Sequence, residues 1–107
     1  MSDFESKSML EIDRLVEEAR TQDLKDKKVQ SKLLYKSAAK KQHQIAIKQM
    51  KEKSKDAVSN FFEAINLAVK ANAMYLATLI VADIRKMELN EEQKNKFEKL
   101  VKIVQTM

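Results

Sequence analysis

The hydrophobic positions of this chain recur at helical spacing along almost its whole length. Near the N-terminus, Ser2 has Glu5 three positions later, which is a capping-box pattern, and an apolar stripe at spacings of three and four residues follows. Thr21 and Asp23 are residue types that favour N-cap positions, so the chain is expected to break there. The pattern therefore predicts a first helix over 2–20.

The next segment, 23–54, is predicted to be a helix with a weak apolar stripe. Its apolar positions are sparse, and the polar run from Lys40 to Gln44 interrupts them. We expect such a helix to be largely exposed and seated on the rest of the fold by one thin face. Ser54 or Asp56 would cap the helix that follows.

The second half of the chain is apolar on more than one face and allows two interpretations. A break at Asn72 gives helices over 56–71 and 73–88. The apolar stripes continue across Asn72 without a change of phase, so 57–88 is alternatively one long helix in a hairpin with 23–54. We favour the break, because the only polar interruption of the apolar pattern falls there.

One stripe of this region consists of small and aromatic residues. A helix that is apolar on several sides lies in the middle of a bundle or in an oligomer interface. Small residues let a neighbouring backbone approach closely, and the surplus of apolar faces predicts self-association, as a homodimer. The candidate helix-interface residues are Phe61, Ala64, Ala68, Ala71, Tyr75 and Ala82.

The last helix is the most clearly marked. Asn90 is a good N-cap, and Gln93 stands at the capping-box position. The whole chain is thus predicted to be one all-α domain over 1–107, an antiparallel bundle of four or five helices. The expected helices are 2–20, 23–54, 56–71, 73–88 and 90–106.

The 107 residues include no glycine, proline or cysteine, and this composition excludes several kinds of chemistry. Phosphate-binding loops, dinucleotide-binding turns and calcium-binding EF-hand loops all need glycine. Disulfides and cysteine-based zinc sites need cysteine. We therefore predict a protein without a cofactor or a metal ion.

The remaining candidates for catalysis are few. His43 is the only histidine, and its polar, lysine-rich surroundings predict a solvated side chain. Glu63 and Asp83 lie in the apolar region and are expected on its polar edge. No catalytic constellation emerges from these residues, so we predict that the protein is not an enzyme.

The net charge of +5 is unevenly distributed. Residues 1–24 carry −4, residues 25–55 carry +9, and residues 56–107 are neutral. The basic segment is either an anion-binding surface or the partner of the acidic segment, and the sequence does not favour one of these two interpretations over the other. A third interpretation is a solvated helix face whose charges only keep the protein soluble. The candidate residues for binding an anion or a partner are Lys28, Lys32, Lys36, Lys40, Lys41 and Lys48.

These patterns lead to two functional hypotheses. The first is a non-enzymatic protein-binding adaptor or chaperone-like assembly factor that works through helix surfaces, with another protein or a second copy of itself as partner; its six methionines suit adaptable interfaces. The alternative is non-specific nucleic-acid binding by the lysines of 25–55. The longest uncharged run, 71–82, is too short to span a membrane, so an intracellular, cytoplasmic protein is expected.

Overall fold

The computed structural model describes residues 3–107, and in this range the chain forms five α-helices and no strand. The predicted all-α helical bundle is confirmed. The helices are α1 (Asp3–Leu24), α2 (Lys28–Lys51), α3 (Ala57–Lys70), α4 (Met74–Ile84) and α5 (Glu91–Gln105).

Helix α2 lies at the centre of the fold and packs against both α1 and α3. The expectation that this helix would be largely exposed on one thin face is wrong. Alanines let neighbouring helices approach closely on two sides, and several polar side chains are buried beside them. Its buried residues are Ser31, Tyr35, Ala38, Ala39, Gln42, Ile45, Ala46 and Gln49.

The five helices form two layers. In α2 and α3, Lys70 lies over the ring of Tyr35 and Phe61 lies beside His43, so the two helices run antiparallel. α3 also contacts α4 and α5, and α4 reaches α2 through a hydrogen bond between Asp83 and His43. One broad face is thus made by α1, α3 and α5, with α2 and α4 behind it, in a molecule of 41 × 36 × 20 Å.

The helix breaks use left-handed residues that are not glycine. Asp26, Lys53 and Asn72 have φ angles of 60°, 58° and 53°. After α3, the Asn72 amide donates to the Val69 carbonyl, and the next amide donates to the Ala68 carbonyl, which is the Schellman arrangement. The predicted break at Asn72 is confirmed, and the alternative of one long helix over 57–88 is wrong.

Other helix ends differ from the prediction in detail. α1 continues through Thr21, whose hydroxyl donates to the Glu17 carbonyl inside the helix, so the expected break before Leu24 is wrong. Ser2, the first member of the predicted capping box, lies outside the described residues. α4 already ends at Ile84.

Two predicted N-caps have different outcomes. At α5 both hydrogen bonds of the capping box are present: the Gln93 amide donates to Asn90 Oδ1, and the Asn90 amide donates to Gln93 Oε1. At α3, Asp56 holds the N-cap position without a side-chain hydrogen bond. Instead, the Asp56 amide donates to the hydroxyl of Ser54.

Candidate functional site

Acidic residues of α1 neutralise part of the basic helix. Lys41 Nζ lies 2.7 Å from Glu11 Oε2, so the two helices are joined by a close ion pair. Lys48 Nζ lies 3.4 Å from Glu5 on α1 and 2.8 Å from Glu52. The interpretation of the acidic segment as the partner of the basic segment therefore applies to these two lysines.

The ion pairs change the pKa values of two of these groups, Glu11 and Lys48. The hydrogen bond and the charge of Lys41 lower the pKa of Glu11 below its usual range. The pKa of Lys48 is raised, chiefly by its hydrogen bond to Glu52 and further by Glu5. Each shift favours the charged form, so these lysines are already engaged within the fold.

Three other candidate lysines remain uncompensated. Lys32, Lys36 and Lys40 are exposed and follow one another at four-residue spacing. Within residues 3–107 none of them forms an ion pair, whereas Lys28 reaches Asp23 at 3.9 Å. We call these three residues, Lys32, Lys36 and Lys40, the lysine face.

Exposed apolar side chains lie next to the lysine face. Val29 and Leu33 are 69% and 60% exposed and stand one helical turn apart on the outward side of α2. Each precedes a member of the lysine face by three residues, so the apolar and basic rows are neighbours on the helix surface. The surface therefore offers positive charge and uncovered apolar area together.

The predicted helix interface is divided by the fold. Four of its residues belong to the core: Phe61, Ala64, Ala68 and Ala71 are buried within the monomer. They serve the packing of the bundle and leave no surface for a second copy. Two members are on the outside of α4: Tyr75 is 79% exposed and Ala82 is also exposed.

His43 is not the solvated residue that the sequence predicted. Its side chain is only 14% exposed, its Nε2 lies 2.7 Å from Asp83 Oδ2, and its ring is 5.9 Å from that of Phe61. The pair joins α2 to α4. Residues forty positions apart give no periodic signal, so the sequence could not reveal this contact.

The face made by α1, α3 and α5 contains two grooves that the sequence analysis missed. The groove between α1 and α3 has a volume of about 500 Å³, and the groove between α3 and α5 has a volume of about 510 Å³. Ser59 and Glu63 line both grooves and form the ridge between them. The predicted edge position of Glu63 is thus an exposed position on α3 between two concave surfaces.

Comparisons of the chain with models of known protein families, with curated proteins and with solved structures give no match. In residues 3–107, three or more histidine, aspartate or glutamate side chains never come together in a way that could hold a metal ion. No helix of this range is long and apolar enough to cross a membrane.

Proposed function

We propose that this protein is a non-enzymatic binding protein, an adaptor or chaperone-like assembly factor of the cytoplasm, that holds an acidic protein partner on the lysine face. The observation that carries the proposal is that some lysines of α2 form ion pairs within the fold and others do not. Lys41 and Lys48 are neutralised by acids of α1 and Glu52, whereas Lys36 and its two neighbours on the lysine face have no ion pair in the described chain. Their charge is available to a partner.

The exposed apolar residues favour a protein over a nucleic acid. Phosphate contacts need positive charge alone, but a protein interface also buries apolar side chains. Val29 and Leu33 provide such side chains beside the lysines. In addition, the chain has no arginine between Arg20 and Arg85, so the bidentate contacts that arginine makes with bases and phosphates are missing from this surface.

The test uses two labelled probes at low salt, polyglutamate and duplex DNA, with binding measured by fluorescence anisotropy. We expect polyglutamate to bind, and the variant that combines Lys32→Glu, Lys36→Glu and Lys40→Glu to weaken this binding by about tenfold or more. The matched control combines Lys7→Glu, Lys94→Glu and Lys102→Glu. Both variants change the net charge from +5 to −1, so only the position of the charges differs.

The outcomes separate the two hypotheses. Equal weakening in both variants would show that net charge alone matters and would overturn the lysine face as a site. Tighter binding of DNA than of polyglutamate, falling steeply with salt, would replace the proposal with non-specific nucleic-acid binding. Affinity capture from native lysate, with and without nuclease, then identifies a protein that the wild type retains and the lysine-face variant loses.

Self-association as a homodimer belongs to the same proposal, and the outer surface of α4 is the surface left for it. Tyr75 is accompanied there by Leu79, which is 42% exposed, and Ala82 would allow close approach of a second helix. Light scattering at micromolar concentration is expected to detect a dimer that Tyr75→Glu dissociates. A strictly monomeric wild type would contradict this part.

A further inference from the structure

The groove between α3 and α5 combines an apolar floor with a basic rim. Val58, Phe62 and Leu100 contribute apolar surface, and all three are buried or partly buried. The volume of about 510 Å³ lies within the range of ligand sites, roughly 300–1,000 Å³. It accommodates one or two apolar side chains of a partner.

Three lysines border this groove from both walls. Lys55 precedes α3, and Lys96 and Lys99 stand one turn apart on α5. None of the three forms an ion pair within residues 3–107. Glu63 and Glu92 also line the groove, so its ionisable residues carry a net charge of +1.

The neighbouring groove, between α1 and α3, has a net charge of the opposite sign. Between α1 and α3, the lining acids Asp13, Glu17 and Glu63 outnumber the cations Arg20 and Lys70, which gives a net charge of −1. Both cations are already engaged there, since Arg20 binds Glu17 at 3.0 Å and Lys70 lies over a tyrosine ring. Uncompensated positive charge is therefore a property of the α3–α5 groove.

We propose that the groove between α3 and α5 binds a short acidic segment of a partner protein, with an apolar side chain of that segment seated against Phe62 and Leu100. The lysines on the two walls attract carboxylates at the rim, and the floor buries the apolar side chain. Ile103, which is 45% exposed and follows Lys99 by one turn, extends the apolar surface along α5. This site is separate from the lysine face of α2.

The test measures binding of a labelled synthetic peptide in which glutamates flank two leucines, by fluorescence anisotropy at low salt. Combining Lys96→Glu with Lys99→Glu is expected to weaken binding by about tenfold or more. The control combines Lys94→Glu with Lys102→Glu, which are on the same helix but line a separate groove beside Arg85. This control has the same net charge and is expected to retain most of the binding.

Two further measurements test the groove itself. Asn66 is exposed and lines the groove, so Asn66→Trp is expected to fill it and abolish binding without disturbing the core. Replacing the leucines of the peptide by serine is expected to weaken binding by about tenfold or more, because apolar burial is lost. Circular dichroism verifies that each variant is folded.

Several results would overturn this proposal. They are absence of peptide binding to the wild type, equal loss in the two double variants, or unchanged binding in Asn66→Trp. A different result would assign the groove to a second copy of the chain. In that case the wild type does not bind the peptide but self-associates, and combining Lys96→Glu with Lys99→Glu abolishes the self-association. The peptide is also tested with the variant that reverses the three charges of the lysine face. If this variant still binds the peptide, the groove is a binding site whether or not the lysine face is one.

Discussion

Three residues with positive φ end helices in a chain that has no glycine. Asp26, Lys53 and Asn72 follow α1, α2 and α3, and each takes the left-handed conformation that glycine adopts most easily. Aspartate and asparagine tolerate this conformation better than other residues, because their short polar side chains hydrogen-bond locally. Lysine lacks a side chain of this kind, so we expect the turn at Lys53 to be the most strained of the three.

We predict that Lys53→Gly stabilises the protein by about 0.5–1 kcal/mol, because removing the Cβ relieves the steric strain of the left-handed conformation. The greater freedom of glycine in the unfolded state partly offsets this gain. The measurement is the free energy of unfolding from urea denaturation followed by circular dichroism. The control is Lys36→Gly in the interior of α2, which is expected to destabilise by about 0.5–1 kcal/mol. The same sign for both variants would contradict the prediction.

The same residues explain why helix breaks were only partly predictable. The break at Asn72 was predicted because Lys70, Ala71 and Asn72 interrupt the apolar pattern. The left-handed conformation of Asn72 fits the known tolerance of asparagine for it. Lys53 stands among other lysines and has no preference that marks a turn. Thr21 misled the prediction because its hydroxyl, a common capping group, also bonds to the preceding turn inside a helix.

At the level of elements, α2 and α3 are held together by a chain of amide side chains. Gln42 Nε2 donates to Asn60 Oδ1 at 2.6 Å, and Asn60 Nδ2 donates to Gln49 Oε1. The two glutamines are buried and lie two turns apart on α2, so Asn60 of α3 bridges them. Because each amide needs a partner when buried, this network fixes the position of α3 along α2.

We predict that Asn60→Ala destabilises the protein by about 1–3 kcal/mol relative to Asn66→Ala. The substitution removes the partner of the buried Gln49 amide and leaves Gln42 Nε2 with only the weak sulfur acceptor of Met9. Both asparagines lie inside α3, so the gain in helix propensity from alanine is the same and cancels in the comparison. Asn66 is exposed and provides the matched control. Equal unfolding free energies from urea denaturation would show that the network contributes no net stability.

Polar residues on a buried face are the reason that the role of α2 was misjudged. Gln42 and Gln49 continue the buried row of Tyr35, Ala38 and Ile45, but a hydrophobic pattern counts glutamine as solvent-facing. The candidate lysines were proposed from the sequence, but the sequence did not show which of them form ion pairs within the fold. Which lysines meet α1 and which remain free depends on the side of α2 that α1 covers, and this is a tertiary property.

At the scale of the whole molecule, the helices differ in how many residues they bury, with α2 at the centre of the fold and α5 at its edge. α2 buries eight residues between α1 and α3, whereas α5 buries only Phe97 and Val104 and packs on the far side of α3. Both proposed binding sites follow from this arrangement. The lysine face is the outer surface of the central helix, and the α3–α5 groove is bordered by the helix with the fewest buried residues.

The arrangement also predicts unequal local stability. We expect native-state hydrogen exchange, followed by mass spectrometry, to be about tenfold faster or more in the middle of α5 than in the middle of α2, because an element with few buried contacts opens locally without global unfolding. Phe97→Ala removes one of the two buried side chains of α5 and the ring beneath Arg85. It is expected to accelerate exchange in α5 while α2 and α3 stay protected. Uniform acceleration of all helices would mean that α5 unfolds only with the rest, and the groove it borders would then be as rigid as the core.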